Sequence, residues 1–224
     1  MNTGESQGIM PSGGLLHRLL VWTLLAGLSA GVSAEQGPVE MLRSTTEQVL
    51  DLVRQDPTVI DDPLRLRVIA DEIVLPHVDF PTLSRWVLGK YWRQATGQQR
   101  EAFIAAFREQ LLGTYLRSVT RYRDNIISFR PLPETPTNGR VAVSAEITPS
   151  SGPAVHAVFR LHRPATEWLI YDVAVEGVSL VATHRSSFSR EISRSGLDGL
   201  IARMQAHNVA IDAPAAGASA AAVH

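Results

Sequence analysis

Apolar side chains recur along this chain in two rhythms, and the change from one to the other divides it. Val39, Leu42, Val49, Leu50 and Val53 fall at three- and four-residue intervals or their sums, the spacing of one helix face. Asp62 before Pro63 marks a second helix start, a capping side chain followed by a residue whose missing N–H is not needed there. That helix carries Leu66, Ile69, Ile73 and Val74 and breaks near Pro76. A third begins at Asp79, with Pro81 early and Leu83, Trp86 and Val87 on one face. Thr96 with Gln99 three residues later is a capping box, and the helix it opens places Phe103, Phe107, Leu111 and Tyr115 four apart.

Further on the period falls to two. Ile127 and Phe129 alternate with polar neighbours, residues 131–139 are rich in turn formers, and two longer alternating runs follow. Val141, Val143, Ala145 and Ile147 form the first; Val155, Ala157, Phe159 and Leu161 form the second. Such alternation predicts antiparallel strands with one wet face. Residues 168–175, WLIYDVAV, are apolar on both sides except at Asp172, which predicts a fourth strand covered on both faces. Glu176–Gly177 then turns the chain sharply into a helix from Val178, with glycine supplying a conformation other residues resist. Helical spacing returns in Leu180, His184, Phe188 and Ile192, and again in Leu197, Leu200, Ile201 and Met204. The expected fold is therefore α+β: a curved four-stranded antiparallel sheet covered by helices, able to close a cone over an apolar cavity.

Composition narrows the function. The 224 residues are 45% hydrophobic and 19% charged, enough for one substantial core. Net charge is -1, no block of like charge appears, and Lys90 is the sole lysine, so a nucleic-acid footprint is excluded. His17 and Arg18, the apolar run 19–28 and the small-residue site Val32-Ser33-Ala34 together read as a secretory signal peptide over 1–34. The export this implies is combined with an absence of cysteine, so the core holds without disulfides. The domain then spans 35–207, and the alanine-rich stretch 208–224 reads as a disordered tail.

Catalytic signatures are missing: no glycine-rich nucleotide loop, no HExxH and no G-x-S-x-G elbow. His156 and His162 share one strand face without a third donor, so neither a metal nor a cofactor is expected. His77 stands at a helix end, where its ring can bond unpaired carbonyls. Asp172 is the one acid placed to be buried, and a buried carboxylate must be hydrogen-bonded or paired with arginine. It is either a catalytic group or a polar anchor tying its strand to neighbouring helices.

Three separated motifs carry a family resemblance. Residues 75–80 (LPHVDF), 89–103 (GKYWRQATGQQREAF) and 171–180 (YDVAVEGVSL) are similar to the MlaC family, also called the toluene-tolerance auxiliary family, over about residues 39–205. The chain departs from that pattern in its alanine-rich tail and at His184, where a tyrosine is expected. The resemblance implies an NTF2-like cone with extra helices, lipid tails inside it, and a periplasmic carrier moving phospholipid between the outer and inner membranes. Implied partners are the hexameric MCE-domain protein of an inner-membrane ABC transporter and an outer-membrane lipoprotein–porin complex. Some relatives are associated with hopanoids, which leaves a hopanoid-type cargo as an alternative. An NTF2-like acid–base enzyme using Asp172 and His77, or a lipid-free adaptor, are the other readings.

Energetics favour an enclosed cavity for a lipid carrier. A two-chain lipid has about 30 methylene groups at roughly 0.8 kcal/mol each, about 24 kcal/mol that must be hidden from water. Candidate lining residues are Phe80, Leu83, Trp86, Val87, Phe103, Phe107, Leu111 and Tyr115 on helices, with Val141, Val143, Phe159 and Ile170 on strands. About half of them are expected to touch lipid and the rest to be packing. The first expected outcome concerns processing: the exported chain should begin near Glu35, and the intact mass of secreted protein checks this.

Overall fold

The computed structural model describes residues 36–119, 126–132, 139–149 and 152–221; the segment 1–34, read from the sequence as a signal peptide, lies outside them. Helix α1 spans Pro38–Gln55, and Asp56 stops it by accepting a bond from the Thr58 N–H and opening a 3-10 turn over Pro57–Asp61. Asp62 caps α2, Pro63–Ile69, through the N–H groups of Leu64 and Arg65, as the Asp–Pro pair requires. The periodic stretch then leaves α geometry earlier than the sequence suggests. A π-helical turn, Ala70–Val74, and a 3-10 turn, Leu75–His77, carry the chain to Pro76, whose ring is incompatible with a continuing α-helix.

Helix α3, Phe80–Leu88, is capped by Asp79 accepting from the Thr82 N–H; α4 spans Lys90–Gln94. Gly89 joins them at φ 55, ψ -116, and the Arg185 guanidinium lies 2.7 Å from where a Cβ would stand. Only glycine satisfies both constraints. The capping box forms reciprocally: the Gln99 N–H donates to Thr96 Oγ1 at 3.1 Å and the Thr96 N–H to Gln99 Oε1 at 3.0 Å, opening α5, Gly97–Val119.

The sheet is an antiparallel meander of β1 Ile126–Pro131, β2 Arg140–Thr148, β3 Val155–His162, β4 Leu169–Val175 and β5 Val178–Ser179, in sequence order. It has five strands rather than the four expected. Glu176 and Gly177 both have positive φ, 48° and 79°, and form a two-residue hairpin that returns the chain for one more pairing. The helix therefore starts at Leu180, two residues later than the sequence reading. A two-residue strand is too short for alternation to announce. The strained Glu176 is held on both sides: its N–H donates to the His156 carbonyl, and its carboxylate accepts from the His156 N–H.

Where β5 ends, the other half of β4 is covered by Val78, which bridges in parallel to Ile170. The edge of the sheet is thus closed by two different segments. Between β3 and β4 the register slips, with Arg160 opposite Asp172 and Leu161 opposite Ile170, so Tyr171 is an extra residue on β4. A bulge of this kind bends the strand and supplies curvature. Helix α6, Leu180–Ala221, kinks at Gly196 and runs on into the alanine-rich stretch assigned to a tail from 208; alanine is the strongest helix former.

Two main cores result. One is purely helical: Val87 and Leu88 of α3, Phe103 and Phe107 of α5, and Phe188, Leu200 and Met204 of α6. The second lies between α1 and the sheet, with Met41 and Leu42 against Val143, Leu161 and Ile170. Phe107 has 0% exposure and sits within 5.6 Å of the Phe103 and Phe188 ring centres. Phe107→Asp should therefore unfold the protein: it removes a core aromatic, worth about 3–5 kcal/mol, and buries a carboxylate as well. Far-ultraviolet circular dichroism and a denaturant midpoint check this, and a folded Asp variant would contradict the assignment of Phe107 to the core.

Candidate functional site

Two apolar chambers adjoin over the sheet. The first, about 240 Å³, lies under α1 and is lined by that helix with Ile60, Val74, His77, Ile127, Phe129, Phe159 and Ile170. The second, about 270 Å³, lies among α3, α5 and the sheet and is lined by Phe80, Leu83, Leu111, Leu112, Tyr115 and Leu116, with Val173 and Leu180. Val74, Phe159 and Ile170 line both. Each volume is a little below, and the two together within, the roughly 300–1,000 Å³ of a small-ligand site. Their walls are almost wholly apolar; among the described residues no carboxylate or guanidinium lines either one.

Of the twelve residues expected from sequence to line a cavity, the structure brings Phe80, Leu83, Leu111, Tyr115, Phe159 and Ile170 to these walls. Val87, Phe103 and Phe107 belong instead to the helical core, and Val143 and Val141 to the packing between α1 and the sheet. Trp86 is 38% exposed on the outside, 6.1 Å from the Tyr171 ring with the Arg140 guanidinium over it. The division along α5 has a geometric cause. Residues four apart advance about 40° round a helix of 3.6 residues per turn. The stripe that starts toward α6 at Phe103 and Phe107 has therefore rotated toward the chamber by Leu111 and Tyr115.

Sequence reasoning did not reach the contribution of α1. Met41, Leu42, Val49, Leu50 and Val53 wall the first chamber, and four of these five were already visible as an apolar stripe. Spacing identifies a covered face but not the element that covers it.

Segment 75–80 stands over the sheet beside both chambers. Leu75 and Phe80 face the second and His77 the first. Its position is fixed at the Asp79 end: the Asp79 N–H donates to the Ile170 carbonyl at 2.9 Å, and Asp79 Oδ2 lies 2.8 Å from His162 Nε2 on β3. His162 is thus occupied as a structural partner. Opposite, an ion-pair cluster joins the end of α2 and the π turn to α5. Arg108 donates to Asp71 at 2.6 Å and to Glu109 at 3.0 Å, and Arg67 pairs with Glu109 and, more loosely, Asp71.

Asp172 is 5% exposed and accepts three bonds: from Arg160 Nη1 at 2.6 Å, from Ser179 Oγ at 2.7 Å, and from the Val181 N–H at 3.1 Å. It joins β4 to β3, β5 and the first turn of α6, and it lines neither chamber. Of the two readings of this acid, the geometry selects the polar anchor. His184 occupies a slot among aromatic rings, 5.0 Å from Phe107 and 5.2 Å from Phe188. The place where a tyrosine was expected is filled by another ring.

The sheet and helices thus frame a divided, apolar cavity with no acid on its walls among the described residues. A family model described as MlaC protein matches residues 43–206. The chain belongs to the MlaC family. It is 26% identical over 176 residues, 77% of this chain and 82% of the relative, to the "Intermembrane phospholipid transport system binding protein MlaC" of Haemophilus influenzae. It is likewise 26% identical, covering 82% of this chain and 86% of the relative, to the "Toluene tolerance protein ttg2D" of Pseudomonas putida. A solved phospholipid-binding protein from Ralstonia solanacearum, in complex with a phospholipid, shares the fold with a TM-score of 0.71 at 22% identity, covering 77% of this chain and 97% of its own.

Burial lowers the pKa of His184 below its ordinary 6.5, because the imidazolium loses hydration among the rings. The folded chain thus keeps His184 neutral to a lower pH than the unfolded chain does. Its contribution to stability is complete above about 6.5 and is lost as pH falls through the lowered value. His184→Phe should therefore flatten this part of the acid decline: thermal midpoints of the two proteins should diverge in favour of the variant between pH 7.5 and pH 5. Parallel midpoint curves would show that this ring does not titrate with unfolding.

Proposed function

We propose that this protein is a phospholipid carrier of the Gram-negative envelope, holding the two acyl chains of its cargo in the two chambers. The observation that carries this reading is the pair of adjoining apolar chambers meeting at Val74, Phe159 and Ile170. The phospholipid named for the relatives and for the structural neighbour supports it. In this reading residues 1–34 direct export and the mature chain, from Glu35, works in the periplasm. It shuttles lipid between the outer and inner membranes as part of a Mla-type system that maintains outer-membrane asymmetry. Its docking partners are the MCE-domain hexamer of an inner-membrane ABC transporter and an outer-membrane lipoprotein–porin complex.

Among the described residues the acid–base alternative finds no acid paired with a base on the chamber walls. Asp172 is engaged by three donors away from the chambers, and His77 faces a wall with no acid on it. A rigid fused-ring cargo of the hopanoid type suits one undivided space better than two chambers. Among the described residues the headgroup has no charged wall residue to meet, so selectivity among headgroups should be slight, and Arg85 and Arg185 should each be dispensable for loading. Organic extraction and mass spectrometry of the purified protein test the reading. About one two-chain phospholipid per chain is expected; an empty extract would remove the carrier function, and a fused-ring lipid would replace the cargo.

A further inference from the structure

Among the described residues, His77 is the one polar side chain on the chamber walls that is both half-buried and unengaged. Among the described residues it makes no hydrogen bond or ion pair. The other polar wall residues are accounted for. Thr46 Oγ1 donates to the Leu42 carbonyl at 2.8 Å, Thr45 Oγ1 lies 3.8 Å from Met41 Sδ, and Tyr115, 47% exposed, stands at the solvent margin of the second chamber. His77 also has a particular place. It is on the 3-10 turn three residues after Val74, and it lines the first chamber beside Val74 and Ile170, two of the three residues common to both chambers.

A polar group next to apolar volume loses its water without compensation unless the occupant supplies a partner. An acyl chain supplies none. A two-chain glycerolipid has two ester groups where its chains part, and chains lying in two chambers part where the chambers meet. A single-chain amphiphile filling one chamber has no such branch to offer.

We propose that His77 is a specificity-determining contact for two-chain ester lipids, its ring N–H donating to an ester carbonyl at the branch point between the chambers. This rests on the carrier reading above. It extends that reading from the chains, which any diacyl or dialkyl lipid has, to the linkage that joins them to glycerol.

The test replaces the carbonyl and leaves everything else. The full mature chain is exchanged against vesicles of equal parts diester phosphatidylglycerol and its dialkyl ether analogue of matched chain length. Bound lipid is then extracted and counted by mass spectrometry. The wild-type chain should take up the ester over the ether by about two- to tenfold, the range spanned by one net hydrogen bond. His77→Leu and His77→Ala should bring the ratio to one while total loading persists, and His77→Gln, which keeps an N–H donor, should retain part of the preference. Equal uptake by the wild-type chain overturns the proposal, and so does a preference that survives either deletion. Uptake of neither lipid by the folded wild-type chain overturns the carrier reading instead. Circular dichroism qualifies each variant, and the wild-type ratio remains decisive against the proposal whichever variants fold.

Discussion

A carboxylate with 5% exposure must find partners inside the protein, and the partners Asp172 finds determine how the halves of this molecule meet. Arg160 reaches it from β3, Ser179 from the two-residue β5, and the Val181 N–H from the first turn of α6. The last of these is an orphan donor of a helix start, satisfied by a strand side chain instead of a local cap. The same carboxylate therefore sets the angle at which α6 leaves the sheet. Helix α6 then completes the core with α3 and α5, and those two helices wall the second chamber. Removing one partner would leave a buried charge or an unpaired donor, which costs more than the net worth of each bond when intact.

The sheet and its cover were legible where periodicity was long. The meander follows from alternation in β2 and β3, and the caps at Asp62, Asp79 and Thr96 follow from side chains that can accept from a helix's first free N–H groups. Strand β5 was not legible, because two residues carry no period and the hairpin that makes it uses Glu176, an unusual residue at positive φ. Nor was the break into π geometry at Ala70, which leaves the apolar spacing of Ile73 and Val74 nearly unchanged.

The cavity was half legible, for a different reason. Apolar spacing reports that a face is covered and does not distinguish cover by protein from cover by empty space. Phe103 and Tyr115 belong to one stripe, yet the first has 0% exposure in a packed core and the second 47% at a chamber margin. The motif residues 75–80 were visible as a unit, but their role depends on Asp79 binding both the Ile170 backbone and His162 across the sheet. No local pattern encodes a contact 83 residues away.

The residues that each core shares with a chamber wall bear on what emptying the cavity does to the fold. Apolar walls without an occupant lose dispersion partners and weaken the state that contains them. Most of the helical core, Phe103, Phe107, Leu88, Leu200 and Met204 included, packs away from the walls, and it meets the second chamber through Leu83, with Leu111 and Leu180 packed against it. The α1–sheet core shares more of its members with a wall: Met41, Leu42 and Ile170 line the first chamber. Stabilisation by cargo, which grows with occupancy, therefore acts through the first chamber on α1 and the sheet, and through the second on α3, α5 and the start of α6. Filling the first chamber thus tightens the roof that α1 makes over the sheet, and filling the second tightens α3 and α5 against it.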